Sequence, residues 1–324
     1  MPEMLYRMLD KTGLKVSILG FGASPLGNEF GQIDPAEGIR TVHYAIERGI
    51  NYFDVAPYYG RTLAETRLGE VLAGYRDKVI LATKVGRYGK ELETGFDFSA
   101  NRVTQSVEES LTRLQTDYLD IFQVHDIEFG QWEQLIYETL PTMYQLKQAG
   151  KVRFVGITGY ALHLLKAVAE VAEIDVILSY CHYNLMDTSL DDVLMPVARQ
   201  KDIGLINASP LHMRVLTETG APAWHPAPKK VTEVGQQIAD YCRSRGLDIA
   251  ELALQFALQH PYVATTLVGM SQVREVEPNL NSAGVTPDPD LLAEVQAMIK
   301  PVANIAWREG RPENYAPNAV EKQS

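Results

Sequence analysis

Short apolar runs recur along the chain and alternate with longer segments whose apolar residues recur every three or four positions. The short runs show little alternation of apolar and polar residues, which predicts strands covered on both faces, as in a parallel sheet. The longer segments predict amphipathic helices. Eight strands are predicted from Val16 onwards, with these bounds: Val16–Gly22, Asn51–Val55, Val79–Val85, Tyr118–Val124, Val152–Ile157, Val176–Tyr183, Ile203–Ala208 and Ala264–Val268.

Helices are predicted between these strands. The first begins at Pro35, behind the capping residue Asp34, and ends at Gly49. The others have these bounds: Leu63–Gly74, Ser99–Leu114, Trp132–Ala149, Leu162–Ala172, Leu190–Gln200 and Thr232–Arg245. Eight strands alternating with helices predict an α/β fold of the (β/α)8 TIM barrel class rather than an open doubly wound sheet. Ahead of the barrel, Met4–Val16 is typical of an N-terminal β-hairpin.

Two long segments, Leu211–Lys230 and Pro301–Ser324, do not follow the repeating pattern of strand and helix. We expect them to be lid loops at the carboxyl-terminal face of the barrel, where the active sites of this fold lie. No linker rich in Pro, Gly or Ser divides the chain, so residues 1–324 are predicted to form a single domain.

The composition narrows the range of partners. The 324 residues are 46% hydrophobic and carry a net charge of -11, which argues against a nucleic acid as a partner. No apolar run is long enough to span a bilayer and no signal-like segment is evident, so a cytoplasmic protein without membrane contact is expected. Cys181 and Cys242 are too few for a disulfide framework, which fits a reducing compartment. The sequence makes no prediction of the oligomeric state.

Isolated polar residues stand at the ends of three successive predicted strands. Asp54 ends the run N-Y-F-D, Lys84 ends V-I-L-A-T-K, and His125 follows Y-L-D-I-F-Q-V. Tyr59 lies just beyond Asp54, after a break at Pro57. Because the carboxyl ends of parallel barrel strands meet at one rim, these four side chains are predicted to converge on one site. Burying four polar groups together is costly unless they serve a function.

These groups suit proton transfer to or from a substrate oxygen. A tyrosine with an ordinary pKa of about 10 is a poor base, and the ammonium of Lys84 would lower the pKa of Tyr59. Asp54 would keep Lys84 charged, and His125 would donate a hydrogen bond to the same substrate oxygen. Such a site needs a hydride partner, which predicts a nicotinamide cofactor. No metal is predicted, since no residues with metal-ligand spacing are apparent.

Several motifs resemble those of the aldo-keto reductase family along nearly the whole chain: D-V-A-P-Y-Y-G, A-T-K-V-G, Y-L-D-I-F-Q-V-H-D, G-I-T-G, A-S-P-L and L-V-G-M-S-Q-V-R-E-V-E-P-N. The resemblance implies a catalytic tetrad of Asp54, Tyr59, Lys84 and His125. Further segments are similar to the plant-type sugar 1-dehydrogenases of this family: G-F-G-A-S-P-L-G, G-F-D-F-S-A, H-D-I-E-F-G, S-Y-C-H-Y and A-P-A-W-H-P. That similarity implies oxidation of a free aldose at C1 to its lactone, with L-galactose as the expected substrate and L-fucose or D-arabinose as related ones.

The resemblance also implies a set of cofactor-binding positions: Gly22, Thr158, Gly159, Tyr180, Ser209, Leu211, Gly269, Met270, Arg274, Glu275 and Asn279. Three of them, Gly269, Met270 and Glu275, stand where NADP-preferring relatives carry Lys, Ser and Arg around the 2′-phosphate. The loss of two cations and the gain of a carboxylate disfavour a phosphate dianion, so NAD is the expected cofactor. The adjacent Arg274 keeps NADP open as an alternative.

Residues that flank the predicted site are candidates for binding the sugar: Tyr58, Tyr88, Asp126, His182, Trp224 and Trp307, with Glu128 and His225 beside them. Aromatic faces stack on pyranose rings, and polar side chains bind hydroxyls. Two alternative functions stay open. One is an NADPH-dependent carbonyl or aldehyde reductase, in which the same tetrad acts as a general acid. The other is a non-catalytic, cofactor-sensing subunit.

Overall fold

The computed structural model of the protein describes residues 4–29 and 31–315. Its first elements form an antiparallel hairpin of β1 (Tyr6–Met8) and β2 (Lys15–Ser17), as predicted. The hairpin covers the amino-terminal end of the barrel. There the guanidinium of Arg7 donates hydrogen bonds to the carbonyl oxygens of Leu258 and Val263, at 2.8 and 2.7 Å.

Eight parallel strands close into a barrel, which confirms the predicted fold class. Their bounds are β3 Leu19–Gly22, β4 Tyr52–Asp54, β5 Ile80–Val85, β6 Leu119–Val124, β7 Val152–Gly159, β8 Val176–Tyr180, β9 Gly204–Ala208 and β10 Val263–Gly269. Neighbours in the chain pair with each other, and β10 pairs with β3 to close the barrel.

Two predicted strands differ from the structure by three residues at one end, whereas the other six agree to within two residues. Val16 and Ser17 belong to the hairpin and not to the first barrel strand. The apolar run continues through a bend at Ile18, so the periodicity does not reveal the corner. The hydroxyl of the preceding Ser17 donates to the carbonyl oxygen of Leu19 across this bend, at 2.7 Å. The strand predicted to reach Tyr183 ends three residues earlier because Cys181 adopts a left-handed φ of 66°, which no strand residue does.

Helices surround the barrel, with these bounds: α1 Pro35–Glu47, α2 Leu63–Leu72, α3 Ala100–Leu114, α4 Trp132–Gln134, α5 Leu140–Gln148, α6 Leu162–Val171, α7 Ser189–Val193, α8 Met195–Gln200, α9 Lys229–Ser244, α10 Ile249–Leu258, α11 Val273–Ser282 and α12 Pro289–Ile299. A π-helical turn, Leu135–Thr139, interrupts the single helix predicted across α4 and α5. The sequence pattern did not predict α10, which is apolar almost all round and so lacks the polar face of an amphipathic helix. It also did not predict α11 and α12.

Alternation along the strands separates the barrel interior from the helix layer. On β6, Ile121 packs inside the barrel while Phe122 packs in the outer layer of the core. The inward positions continue through Gln123, which hydrogen-bonds to Asp54 across the interior, to His125 at the carboxyl end. The polar site therefore lies at the end of the same inward-facing rows that fill the barrel core.

Two segments cover the carboxyl-terminal face, as predicted for the lids. Residues 209–228 directly follow β9, and residues 303–315 cross the ends of β6 and β7. The rings of His225 and Trp307, one from each segment, lie 5.4 Å apart, so the segments support each other. Residues 316–324 of the second predicted lid lie outside the described residues. In the part of the chain that is described, no helix has the length and apolar character needed to cross a membrane.

Candidate active site

The four polar residues predicted to converge lie together at the carboxyl-terminal rim. Asp54 is the last residue of β4, Lys84 lies next to the last residue of β5, and His125 directly follows β6. Tyr59 comes from the loop after β4, where its N–H donates to the carbonyl oxygen of Ala56 at 3.1 Å. The side chains from the three strands are almost fully buried.

Lys84 is the centre of this group. Its ammonium forms a close ion pair with Asp54 and donates to the carbonyl oxygen of Val55 at 3.0 Å. The same Nζ lies 3.4 Å from the hydroxyl of Tyr59. The second carboxylate oxygen of Asp54 accepts a hydrogen bond from Gln123 Nε2 at 3.0 Å. Both oxygens of Asp54 are thus engaged, which fixes the ammonium beneath the phenol.

Burial controls the ionisation of the phenol. It raises the pKa of Tyr59 above the ordinary value, and the ammonium of Lys84 opposes that shift only in part. The sequence predicts a lowered pKa for Tyr59, and that prediction is wrong in direction. It considers the ammonium of Lys84 but not the desolvation of the buried phenol. Burial also acts against the charge of Lys84, but Asp54 and Tyr59 together outweigh it, so the pKa of the ammonium is raised. Lys84 consequently stays charged.

His125 is a neutral imidazole at the rim. Burial lowers its pKa to about 3, despite the opposing charge of Asp126. The ring packs edge-on against Tyr59 and Tyr58, with centroid separations of 5.8 and 6.1 Å. Its Nε2 lies 3.8 Å from the carboxylate of Asp126. A neutral ring in this position can donate or accept one hydrogen bond without adding charge to the site.

Arg87 and Asp126 form a close ion pair beside His125. The guanidinium of Arg87 also lies over the ring of Tyr58, 4.1 Å from its centroid, in cation–π geometry. Asp126 has a left-handed φ of 54°, and its N–H donates to the hydroxyl of Thr158 at 3.1 Å. The loop after β6 is thereby held so that Asp126 and His125 face the same space.

The remaining candidates for sugar binding differ in what they contact. His182 has both ring nitrogens engaged, with the Tyr160 carbonyl oxygen at 2.8 Å and the Ser189 hydroxyl at 2.9 Å, and is almost fully buried. Its role is therefore to hold neighbouring loops together. Tyr88 packs under the guanidinium of Arg102, 4.2 Å from the ring centroid. Trp224 is 58% exposed on the outside of its loop.

Trp307, like Tyr58, is an aromatic candidate that lies at the rim. Its indole stacks on the ring of Tyr160, which follows β7, at a centroid distance of 4.5 Å and an angle of 22°. Its main-chain N–H donates to the Tyr160 hydroxyl at 3.1 Å. His212 and His225 pack against the other sides of the indole. One aromatic residue from the C-terminal segment thus locks both lids to the barrel rim.

A barrel of this geometry has known relatives. A family model described as the aldo/keto reductase family matches residues 18–300. The chain belongs to the aldo/keto reductase family. It is 46% identical to the L-galactose dehydrogenase of Arabidopsis thaliana, over 97% of this chain and 100% of that protein. It is 31% identical to the D-arabinose 1-dehydrogenase of Saccharomyces cerevisiae, over 92% of this chain and 95% of that protein.

Solved structures agree. The holo form of an aldo-keto reductase from Bacillus halodurans matches with a TM-score of 0.77 and 30% sequence identity, covering 94% of this chain and 98% of that chain. These findings confirm the predicted family, the barrel fold and an oxidoreductase as the class of enzyme. Aldo/keto reductases work with a nicotinamide cofactor, so the positions that would hold one can be tested against the structure.

The rim between β7 and β9 offers the positions expected around the nicotinamide. Tyr180 and Ala208 are partners at the ends of β8 and β9, and Ser209 follows with a left-handed φ of 57°. Gly159 stands against Glu128: a Cβ there would lie 2.4 Å from Glu128 Oε2. The buried Glu128 carboxyl therefore fills the space that a side chain at position 159 would take, and its Oε2 has no hydrogen-bond partner in the described structure.

The rim near β3 and β10 offers open backbone. Gly22 and Gly269 are paired residues at the ends of these strands, and neither carries a side chain that would block the main chain. Met270 is fully buried in the core, so its side chain is not available to a ligand. Leu211 and Asn279 are half-buried at the edges of this face. This arrangement fits an extended dinucleotide that contacts main-chain groups at both ends of the rim.

Carboxylates surround the first turn of α11. Glu275 accepts hydrogen bonds from the N–H groups of Ser271 and Gln272, at 2.7 and 3.1 Å, and forms a capping box. Glu37 from α1 accepts from the N–H of Val273 at 3.0 Å. Helix N-termini commonly bind phosphate through such amides, but here carboxylates already occupy them. Two carboxylates therefore already accept the N–H groups at the start of this helix.

Two residues at the rim escaped the sequence-based prediction. Gln123 belongs to the inward-facing row of β6 two positions before His125, so strand alternation could have identified it. Arg87 lies three positions after Lys84 in a loop, and no periodicity indicates that it turns back toward Asp126.

Proposed function

We propose that this protein is an NAD-dependent sugar 1-dehydrogenase that oxidises L-galactose, or a related aldose, at C1 to the lactone. The similarity to the L-galactose dehydrogenase of Arabidopsis thaliana and to the D-arabinose 1-dehydrogenase of yeast supports the substrate class. The observation that carries the proposal is the contact of Lys84 with both Asp54 and Tyr59 at the rim.

In the proposed reaction, Tyr59 removes the proton from the C1 hydroxyl of the sugar. The ammonium of Lys84, 3.4 Å away, stabilises the phenolate that accepts this proton, and Asp54 holds the ammonium in place. A bound nicotinamide would supply the acceptor for the hydride from C1, so one hydride and one proton leave the sugar and a lactone forms. No covalent intermediate with the protein is needed.

His125 orients the sugar in this proposal. Because burial keeps the imidazole neutral, with its pKa lowered to about 3, the ring can donate to the C1 oxygen over a wide pH range. Tyr58 and Asp126, which flank His125, are the side chains that we propose to contact the remaining hydroxyls. Trp307 would form the apolar wall above them.

NAD is favoured over NADP by the charges around α11. A 2′-phosphate at this helix would meet Glu275 and Glu37, which already accept hydrogen bonds from the N–H groups of residues 271–273. The ribose of NAD instead presents hydroxyls, which can donate hydrogen bonds to these carboxylates. Arg274 is exposed and is the one cation in the first turn of this helix that could favour a phosphate.

The test is the initial rate of nicotinamide reduction by the purified protein with L-galactose, with NAD and NADP compared side by side. We expect a rate with NAD that is well above the rate with NADP, and a rate that rises with pH, because burial keeps the phenol of Tyr59 protonated at lower pH. Tyr59→Phe should abolish turnover while NADH binding, followed by fluorescence, is retained.

Other outcomes would replace this proposal. Consumption of NADPH with simple aldehydes, without oxidation of any sugar, would indicate a general carbonyl reductase. Tight binding of the cofactor without turnover in either direction would indicate a cofactor-sensing subunit. Full sugar oxidation by Tyr59→Phe would refute the assignment of the base.

A further inference from the structure

The C-terminal segment is fastened over the rim at two points that flank Glu309. On one side, Trp307 stacks on Tyr160. On the other side, the N–H of Arg311 and the side-chain amide of Asn314 donate to the carbonyl oxygen of Glu128, at 2.9 and 2.7 Å. Gly310 lies so close to Glu128 that a Cβ on it would stand 2.3 Å from that oxygen. The chain at Glu309 is therefore held against the end of β6.

The Glu309 side chain is fixed in its turn. Its Oε1 accepts a hydrogen bond from the indole Nε1 of Trp307 at 3.0 Å, and its N–H donates to the hydroxyl of Tyr315 at 3.1 Å. Its negative charge contributes to raising the pKa values of Tyr180, at the end of β8, and of Glu128, after β6. The indole that binds this carboxylate stacks on Tyr160, after β7, and the next residue, Gly310, lies against Glu128, after β6. The carboxylate therefore lies at the mouth of the barrel, between the ends of β6 and β7, where burial raises the pKa of Glu309 itself.

The charges at the mouth are unequally matched. Lys84 is paired with Asp54, and Arg87 is paired with Asp126. Glu309, by contrast, has no ion-pair partner among residues 4–29 and 31–315, and its only side-chain hydrogen bond there is the one from the indole of Trp307. The mouth therefore presents one unpaired carboxylate and no unpaired cation from these groups.

We propose that Glu309 is a specificity-determining residue: its carboxylate accepts hydrogen bonds from hydroxyls of a neutral sugar and repels anionic analogues. A carboxylate accepts hydrogen bonds and donates none, and sugar hydroxyls are donors. Hydrogen bonds to a charged acceptor are about twice as strong as those between neutral groups. Among the charged groups named above, both cations are already paired, so a phosphate or uronate group beside Glu309 would face a like charge. This inference rests on the proposed sugar dehydrogenase activity.

The test compares Glu309→Gln with the matched control Glu313→Gln. Glutamine keeps an acceptor oxygen for the Trp307 indole, removes the charge, and replaces the second carboxylate oxygen with an NH2 donor. Glu313 belongs to the same segment, and its side chain is 62% exposed and pairs only loosely with Arg311, at 3.6 Å. Initial rates are measured with NAD and either L-galactose or L-galacturonate, in which a carboxylate replaces the C6 hydroxymethyl group of the same ring.

For Glu309→Gln we expect a KM for L-galactose about tenfold higher, with kcat changed less than twofold, since the residue does not contact the reacting atoms. The preference in kcat/KM for L-galactose over L-galacturonate should fall by about tenfold, because the repulsion is removed. Glu313→Gln should behave as the wild type in both respects. Thermal unfolding and NADH binding of both variants should match the wild type, which separates a binding effect from loss of structure.

An unchanged KM and an unchanged preference in Glu309→Gln, with an active wild type, would overturn the inference and leave the proposed function intact. A wild type that oxidises no sugar would instead refute the proposed function on which the inference rests. A fall in kcat with no change in KM would also contradict the inference, since it would place Glu309 in the chemical step.

Discussion

Removing the charge of Lys84 should destabilise the protein strongly, because it leaves a carboxylate buried without its counterion. The side chains of Lys84 and Asp54 are only 2% and 3% exposed. In Lys84→Met, the carboxylate of Asp54 keeps the single hydrogen bond from Gln123. Breaking a buried ion pair from one side costs about 3 to 5 kcal/mol, so we expect the free energy of unfolding to fall by that amount.

The control is a more exposed ion pair of the same residue types. Lys147 and Asp175 lie 2.5 Å apart, but the lysine side chain is 38% exposed and the aspartate 14%. Pairs of this kind contribute about 0.2 to 1 kcal/mol. Urea unfolding followed by circular dichroism should therefore show a small loss for Lys147→Met and a severalfold larger loss for Lys84→Met.

The double variant Asp54→Asn/Lys84→Met completes a thermodynamic cycle. Because no buried charge is left unpaired, it should recover at least half of the stability that Lys84→Met loses, while activity stays lost.

The pH dependence of the stability of Lys84→Met gives a second check. Burial raises the pKa of Asp54, and without Lys84 that pKa must rise further. Protonation then stabilises the folded state, so Lys84→Met should lose stability relative to wild type as pH rises from 5 to 8. Equal losses for Lys84→Met and Lys147→Met, or strictly additive effects in the cycle, would refute this account.

Two further predictions concern other parts of the rim. Burial lowers the pKa of His125 to about 3 in the folded protein, so the wild type should lose stability as pH falls from about 6.5 towards 3. In pH-dependent thermal unfolding, His125→Asn should lose less stability over that range. An identical decline in the variant would contradict the burial argument. Glu275→Gln keeps a side chain that suits the capping box and removes one charge. We therefore expect kcat/KM for NADP to rise about fivefold to tenfold, with little change for NAD. No gain with NADP would show that Glu275 does not face the 2′ position of the adenosine ribose.

The barrel and the grouping of the tetrad were predictable because both follow from short-range patterns. A parallel strand buried on both faces is an unbroken apolar run, and a polar residue that ends such a run is conspicuous. Asp54, Lys84 and His125 each end one of three consecutive strands, so the topology of the barrel brings them together. Gln123 follows from the same alternation, although its partner Asp54 becomes evident only when the strands are in register.

The contacts of the loops were not predictable, since nothing local determines them. The indole of Trp307 stacks on Tyr160, which is 147 residues earlier in the chain. The sequence predicts His182 as a candidate for sugar binding. In the structure, the left-handed turn at Cys181 directs the His182 ring toward Ser189 and Tyr160 instead. A left-handed φ at a cysteine leaves no mark in a hydrophobic pattern, so neither the end of β8 nor the direction of His182 could be inferred.

The pKa of Tyr59 depends on burial as well as on the residue types around it. The sequence predicts that the ammonium of Lys84 favours the phenolate of Tyr59, and the two groups do lie 3.4 Å apart. Burial acts in the opposite direction and is stronger here, so the phenol is protonated in this state of the protein. A protonated Tyr59 is ready to act as an acid toward a carbonyl and becomes a base only as pH rises. The ratio of sugar oxidation to the reverse reduction should therefore increase with pH. Lys84 lowers the pH at which this increase begins, because its ammonium favours the phenolate of Tyr59.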